Sequence, residues 1–183
     1  MTNAKGFTLI ELIVAVGLFA VIMVLSAGAY YVIIGADRNA QSVSTGIDDV
    51  SFALEAMTRD IRTGYDYCGT DPGMPANPCP TDHSQFAFRD NGGTVTTYSF
   101  GSQSDGAGGT VGDIEKNGNP LTDPSINITS LAFYPQGTSP YSAGNDTEQA
   151  RVFIIVSGTV AGGNVAAQQF DVETLATMRQ SDI

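Results

Sequence analysis

From Leu12 to Ile34 the chain runs 23 residues without a charged side chain, drawing chiefly on Leu, Ile, Val, Ala and Met. At about 1.5 Å per residue such a run spans roughly 34 Å as a helix, enough to cross a hydrocarbon core of about 30 Å. Backbone groups in lipid must bond within their own segment, so the run is expected to be helical. Glu11, at its start, is the only charge between Phe7 and Ile34. A cleaved secretory signal has a shorter apolar region and a small-residue cleavage site directly after it. A plain single-pass anchor fits the length but gives no reason for a carboxylate at the edge of the run. Neither accounts for both features.

The rest of the chain, Gly35 to Ile183, carries 18 acidic and 7 basic residues. That balance argues against binding nucleic acid, because phosphate contacts need clustered Lys and Arg. It suits a soluble domain outside the cytoplasm. Lys5, ahead of the apolar run, places the amino terminus on the cytoplasmic side by the positive-inside tendency. At 183 residues the chain has room for one modest core.

Cys68 and Cys79 stand eleven positions apart, among Pro72, Pro75, Pro78, Pro80, Gly69 and Gly73. Such a segment forms neither regular helix nor strand, so a crosslink is expected to hold it in an oxidising compartment. Zinc would want more ligands than these two thiols and the only histidine, His83. Asp105, Asp113, Glu115 and Asp123 offer hard oxygen donors, but their spacing matches no EF-hand, and a solvated loop is the better reading. No metal and no cofactor is expected. Nor does an active site emerge: there is no phosphate-binding glycine loop, and His83 has no nucleophile pattern beside it.

After the apolar run, Val43, Ile47, Val50, Leu54, Met57 and Ile61 recur at helical spacing and predict one apolar stripe. Glu55 and Arg59 are spaced to pair on the solvated side. Gly64 is the expected stop, with Arg59 and Arg62 opposing the negative end of the helix dipole. Gly28, Gly35, Ser42, Ser44 and Gly46 weaken the middle, which predicts either a bend or a break around Gly35 to Gly46. The period then changes to two. Strands are expected at Gln85 to Arg89 and, after the turn Asp90-Asn91-Gly92-Gly93, at Thr94 to Phe100, with Thr96, Tyr98 and Phe100 on one face. Further strands are expected at Ile128 to Tyr134, at Arg151 to Ser157 and, after a turn at Gly162-Gly163-Asn164, at Gln168 to Met178. Gly101 to Asp123 reads as a long surface loop. The fold class is α+β, a long N-terminal helix packed on a mainly antiparallel sheet.

The string Lys5-Gly6-Phe7-Thr8-Leu9-Ile10-Glu11-Leu12 resembles the processing site of the type IV pilin family, which includes the pseudopilins of type II secretion. The resemblance implies a leader of residues 1–6 and a prepilin peptidase that cuts between Gly6 and Phe7 and methylates Phe7. It implies a membrane and filament-core helix over 7–34, a soluble helical half over 35–63, and a β-rich domain over 64–183 containing the 68–79 disulfide loop. Glu11 becomes the family's acidic residue near the start of the mature chain. A carboxylate at the edge of hydrocarbon is costly unless paired. The new amine at Phe7 of a neighbouring subunit, or of its own helix, would meet it and set the register of adjoining helices. A glutamate that merely reaches back to the headgroups is the bland alternative.

Two further stretches are similar to minor subunits, namely minor pilins of the PilW kind and the minor pseudopilin J of type II secretion. These are Ser51 to Gly64, ending the helix, and Glu173 to Gln180, ending the chain, where Gln180 stands in place of the usual last residue. The resemblance implies a structural role in a minor position of a type IV pilus, with a minor pseudopilin or a non-polymerising membrane-anchored binding module as alternatives. Its implied partners are prepilin peptidase, other pilin or pseudopilin subunits and an inner-membrane assembly platform. The implied location is the inner membrane and then an extracytoplasmic filament.

Overall fold

A computed structural model describes residues 6–138, 148–162 and 165–179. Lys5, Gln180 and the Gly163-Asn164 part of the expected turn lie outside the described residues. The chain divides into two units, Met1–Gln41 and Ser42–Ile183.

Helix α1 is Leu9–Thr63. Helical structure continues through Gly35, Ser42, Ser44 and Gly46, so no break forms there. Gly46 has a packing reason to be glycine. It is buried, and a Cβ built on it would lie 2.5 Å from Cγ1 of Val160. Its neighbour in the expected stripe, Ile47, is instead 48% exposed. The inward face is therefore Gly46, Val50, Ala53, Leu54, Met57 and Ile61. The helix ends before Gly64, whose amide donates to the carbonyls of Asp60 and Ile61. A side chain at Gly64 would overlap the Phe88 ring, so the stop comes from close approach to the first strand.

Seven strands follow: β1 Gln85–Arg89, β2 Val95–Ser104, β3 Thr110–Lys116, β4 Asn119–Pro120, β5 Ile126–Gln136, β6 Arg151–Gly162 and β7 Val165–Thr177. They form two antiparallel sheets in place of the one expected, ordered β1-β2-β3-β4 and β5-β6-β7. The sheets meet where the Gly112 amide of β3 donates to Oδ1 of Asn127 on β5, at 2.8 Å.

The expected loop from Gly101 to Asp123 is largely strand. β2 continues to Ser104, and β3 returns from Thr110 in register with it. Between them Asp105 closes the turn by accepting from the amides of Ala107 and Gly109, both at 2.8 Å. Only Val111 and Ile114 are apolar in β3, so pairing rather than hydrophobicity holds most of it. Asn117 and Gly118, with φ of 54° and 75°, turn the chain into β4.

One core joins the helix face to both sheets. Phe86 and Phe88 lie stacked on the same face of β1, with ring centroids 5.7 Å apart. Phe86 also stacks on Phe133 of β5 at 5.8 Å, and Tyr67 meets Phe86 edge-on at 5.2 Å. From the strong β6 run, Val152, Ile154 and Val156 are buried; Phe153 and Ile155 are half-covered. Phe100, expected beside Thr96 and Tyr98, is 43% exposed, because β2 runs on past the core.

Candidate functional site

Gly6, Phe7 and Thr8 precede α1 without regular structure. Phe7 is 87% exposed, and nothing lies within 4 Å of a Cβ placed on Gly6. Both residues are exposed among the described residues.

Thr8 and Glu11 cap the helix reciprocally. The Thr8 amide and hydroxyl both donate to Oε2 of Glu11, at 3.2 and 3.1 Å, and the Glu11 amide donates to Oγ1 of Thr8 at 3.4 Å. Helix starts leave their first amides without partners, and a Thr-x-x-Glu box satisfies two of them. The carboxylate also faces the positive end of the helix dipole. Sequence reasoning singled out Glu11 as the charge at the edge of the run but did not read its capping box with Thr8. The signal was the Thr8-Leu9-Ile10-Glu11 spacing itself.

From Leu12 to Ile33 the helix carries no charge, and every one of these residues is exposed among the described residues. Leu12, Phe19 and Ile22 are each about three-fifths exposed. The helix is long and apolar enough to cross a membrane. An all-round apolar helix must be covered by lipid or by other helices.

In the second unit, Cys68 and Cys79 are joined by a disulfide with Cα atoms 5.4 Å apart. The loop lies along the outer edge of β1. Ala87 accepts from the Cys68 amide and donates to the Pro78 carbonyl, both at 3.0 Å, while Tyr65 and Arg89 exchange amide bonds at 2.8 Å. Cys68 itself has φ of 55°. The loop covers an edge that would otherwise offer free pairing groups. His83 stacks on Tyr134, with centroids 4.2 Å apart, as a packing residue.

The four acidic residues considered as oxygen donors do separate things. Asp105 caps the β2–β3 turn, and the amides of Ala107 and Gly109 hold its carboxyl below the usual range. Asp123 accepts from the Ser125 amide at 2.8 Å, which lowers its carboxyl likewise. Asp113 is fully buried on β3, and neither carboxylate oxygen has a hydrogen-bond partner among the described residues. Burial, followed by the charge of Glu115, pushes its carboxyl upward. Among the described residues no three His, Cys, Asp or Glu side chains gather as metal ligands.

Residues 1–27 match the family model of the prokaryotic N-terminal methylation motif, the prepilin-type signature of type IV pilin-like proteins. No curated protein and no solved structure matches the chain.

Proposed function

We propose that this protein is a minor structural subunit of a type IV pilus. The observation that carries the reading is the methylation motif over residues 1–27, with its Gly6-Phe7 junction exposed just before the exposed apolar run from Leu12 to Ile33. In this reading prepilin peptidase cuts between Gly6 and Phe7 and Phe7 is methylated. Residues 7–34 hold the subunit in the inner membrane with the β-rich domain outside the cytoplasm. An assembly platform then moves the helix from lipid into a filament core, where it packs against other subunits. The work is mechanical and positional, so no catalytic residue is assigned.

The apolar helix supports this because a surface apolar on all sides transfers from lipid to a helix bundle at little hydrophobic cost. Register must then come from polar groups, and Glu11 is the only charge on that stretch. Its carboxylate caps its own helix at Thr8, and in this reading it pairs with the cationic amine that cleavage creates at Phe7 of an adjoining subunit.

Intact mass and N-terminal analysis of the native protein test the processing step. A mature chain beginning at N-methylated Phe7 is the expected result, and one beginning at Met1 overturns it. The proteins recovered with it in sheared filaments test the rest. Pilus subunits are expected, whereas recovery only with type II secretion subunits would make it a minor pseudopilin. A processed chain that stays in the membrane without filament partners would make it an anchored binding module.

A further inference from the structure

The second unit is strongly acidic, yet its basic side chains are not spread evenly. Arg59 pairs with Glu55 at 2.9 Å, Arg89 with Asp66 at 3.2 Å, Lys116 with Asp60, and Arg151 with Glu148 at 2.9 Å. The two remaining arginines of this unit, Arg62 and Arg179, have no carboxylate partner among the described residues, and they line the same surface pocket. The pocket holds about 270 Å³ and is bounded by Glu55, Thr58, Arg59, Arg62, Thr63 and Arg179.

Its construction is specific. Arg59 and Arg62 come from the last turns of α1, where a cation also meets the negative end of the helix dipole. That alone would explain Arg62. It does not explain Arg179, which arrives from the far end of β7. The Arg179 amide donates to the Arg62 carbonyl at 2.8 Å, which fixes the two backbones side by side. The hydroxyls of Thr58 and Thr63 are committed to main-chain carbonyls within the helix. The walls therefore offer guanidinium donors, and Glu55 neutralises only one of the three.

We infer that this pocket receives a carboxylate side chain from an adjoining subunit, and so forms a polar contact between soluble domains in the filament. The inference rests on the filament reading above. Guanidinium forks match carboxylates in two-point geometry, which adds orientation to attraction. A nucleic acid or an anionic membrane presents many phosphates over a wide surface, and the net charge of this chain, -11, opposes both. A single acidic side chain meets only the local field of the pocket. The pocket is bounded on one side by the last turns of α1. The contact fixes the rotation of one soluble domain against the next, which an apolar helix alone leaves free.

The full-length protein is tested in cells that express its partner subunits. A benzophenone amino acid at position 179, an exposed site, should give on illumination an adduct with another pilin-like subunit, mapping by mass spectrometry beside an Asp or Glu. Adducts to lipid alone, or none from protein recovered in filaments, overturn the inference. In parallel, Arg62→Glu with Arg179→Glu should lower the protein's share of sheared filaments by tenfold or more. Arg62→Lys with Arg179→Lys should keep at least a third of it. The Glu pair at the wild-type share overturns the pocket and leaves the filament reading standing. Wild-type protein that never enters filaments removes both.

Discussion

The hydroxyl of Tyr98 on β2 donates to Oδ2 of Asp60 on α1 at 2.7 Å, across 38 positions of sequence. Lys116 of β3 reaches the same oxygen. One helical carboxylate thus anchors two strands of the first sheet. The Lys116 pair is partly solvated and contributes little by itself. The Tyr98 ring is fully buried, so its hydroxyl depends on Asp60. Tyr98→Phe should lower stability by about 1 kcal/mol, and Asp60→Ala by about 1–3 kcal/mol because it strands the hydroxyl. Thermal unfolding of both variants in detergent, showing equal losses or none, would contradict this.

Alkaline pH should expose the same pairing. Burial pushes the phenols of Tyr67 and Tyr98 well above their ordinary pKa of 10.0, and for Tyr98 the Asp60 contact adds to the effect. The unfolded chain therefore releases these protons first. Stability from the two phenols is complete below about pH 10 and is lost as pH rises beyond it. Absorbance at 295 nm should report two phenols that ionise only as the second unit unfolds.

Gly46→Ala should be destabilising even though alanine favours helices by about 1 kcal/mol over glycine. The new methyl meets a buried valine, Val160, whose branched side chain has little room to turn. An overpacking cost of about 1–3 kcal/mol outweighs the gain. A higher melting temperature for this variant would show that β6 yields.

Asp113 is a place where the fold carries a cost. Its carboxyl is pushed upward by burial and by Glu115, so the folded state favours the protonated form. This group's contribution is most favourable in acid and declines as pH rises from its unfolded pKa through its folded one. Asp113→Asn should therefore raise stability at pH 7 by about 1 kcal/mol and show no gain near pH 3. Urea titrations at the two pH values compare them directly.

Glu11 caps its own helix and, in the proposed filament, pairs with a neighbour's amine, and two substitutions distinguish these roles. Glutamine can still close the box with Thr8 but carries no charge, whereas alanine loses both. Membrane insertion and cleavage should persist in each, since neither adds a polar burden to the span. Filament incorporation should fall strongly for both, because an unpaired amine in a low-dielectric core is costly. Normal incorporation of Glu11→Gln alongside failure of Glu11→Ala would assign the residue to capping only.

Much of this was legible because the strongest patterns are local. The apolar run, the stripe from Val50 to Ile61, the Phe86-Phe88 alternation and the Asp90–Gly93 turn each announce themselves within a few residues. β3 did not, because Ile114 is its only fully buried apolar side chain and its pairing depends on β2. The Asn117-Gly118 turn was the overlooked clue. Gly46 reads as a weakness in a lone helix and becomes a fitting surface only once Val160 is opposite. The Gly6-Phe7 pair and Glu11 likewise stand together in sequence. Arg62 and Arg179 stand far apart in sequence and are neighbours only in the folded chain.

The disulfide loop sits between the end of α1 and the start of β1, and so lies on the covalent route from the helix to the sheets. Tension applied along that route passes from Cys68 to Cys79 directly, across the 5.4 Å between their Cα atoms. The intervening residues carry no load. Reduction would release them and lengthen the tether by roughly 30 Å when drawn out. In the oxidised state the bridge keeps that part of the route at its folded length.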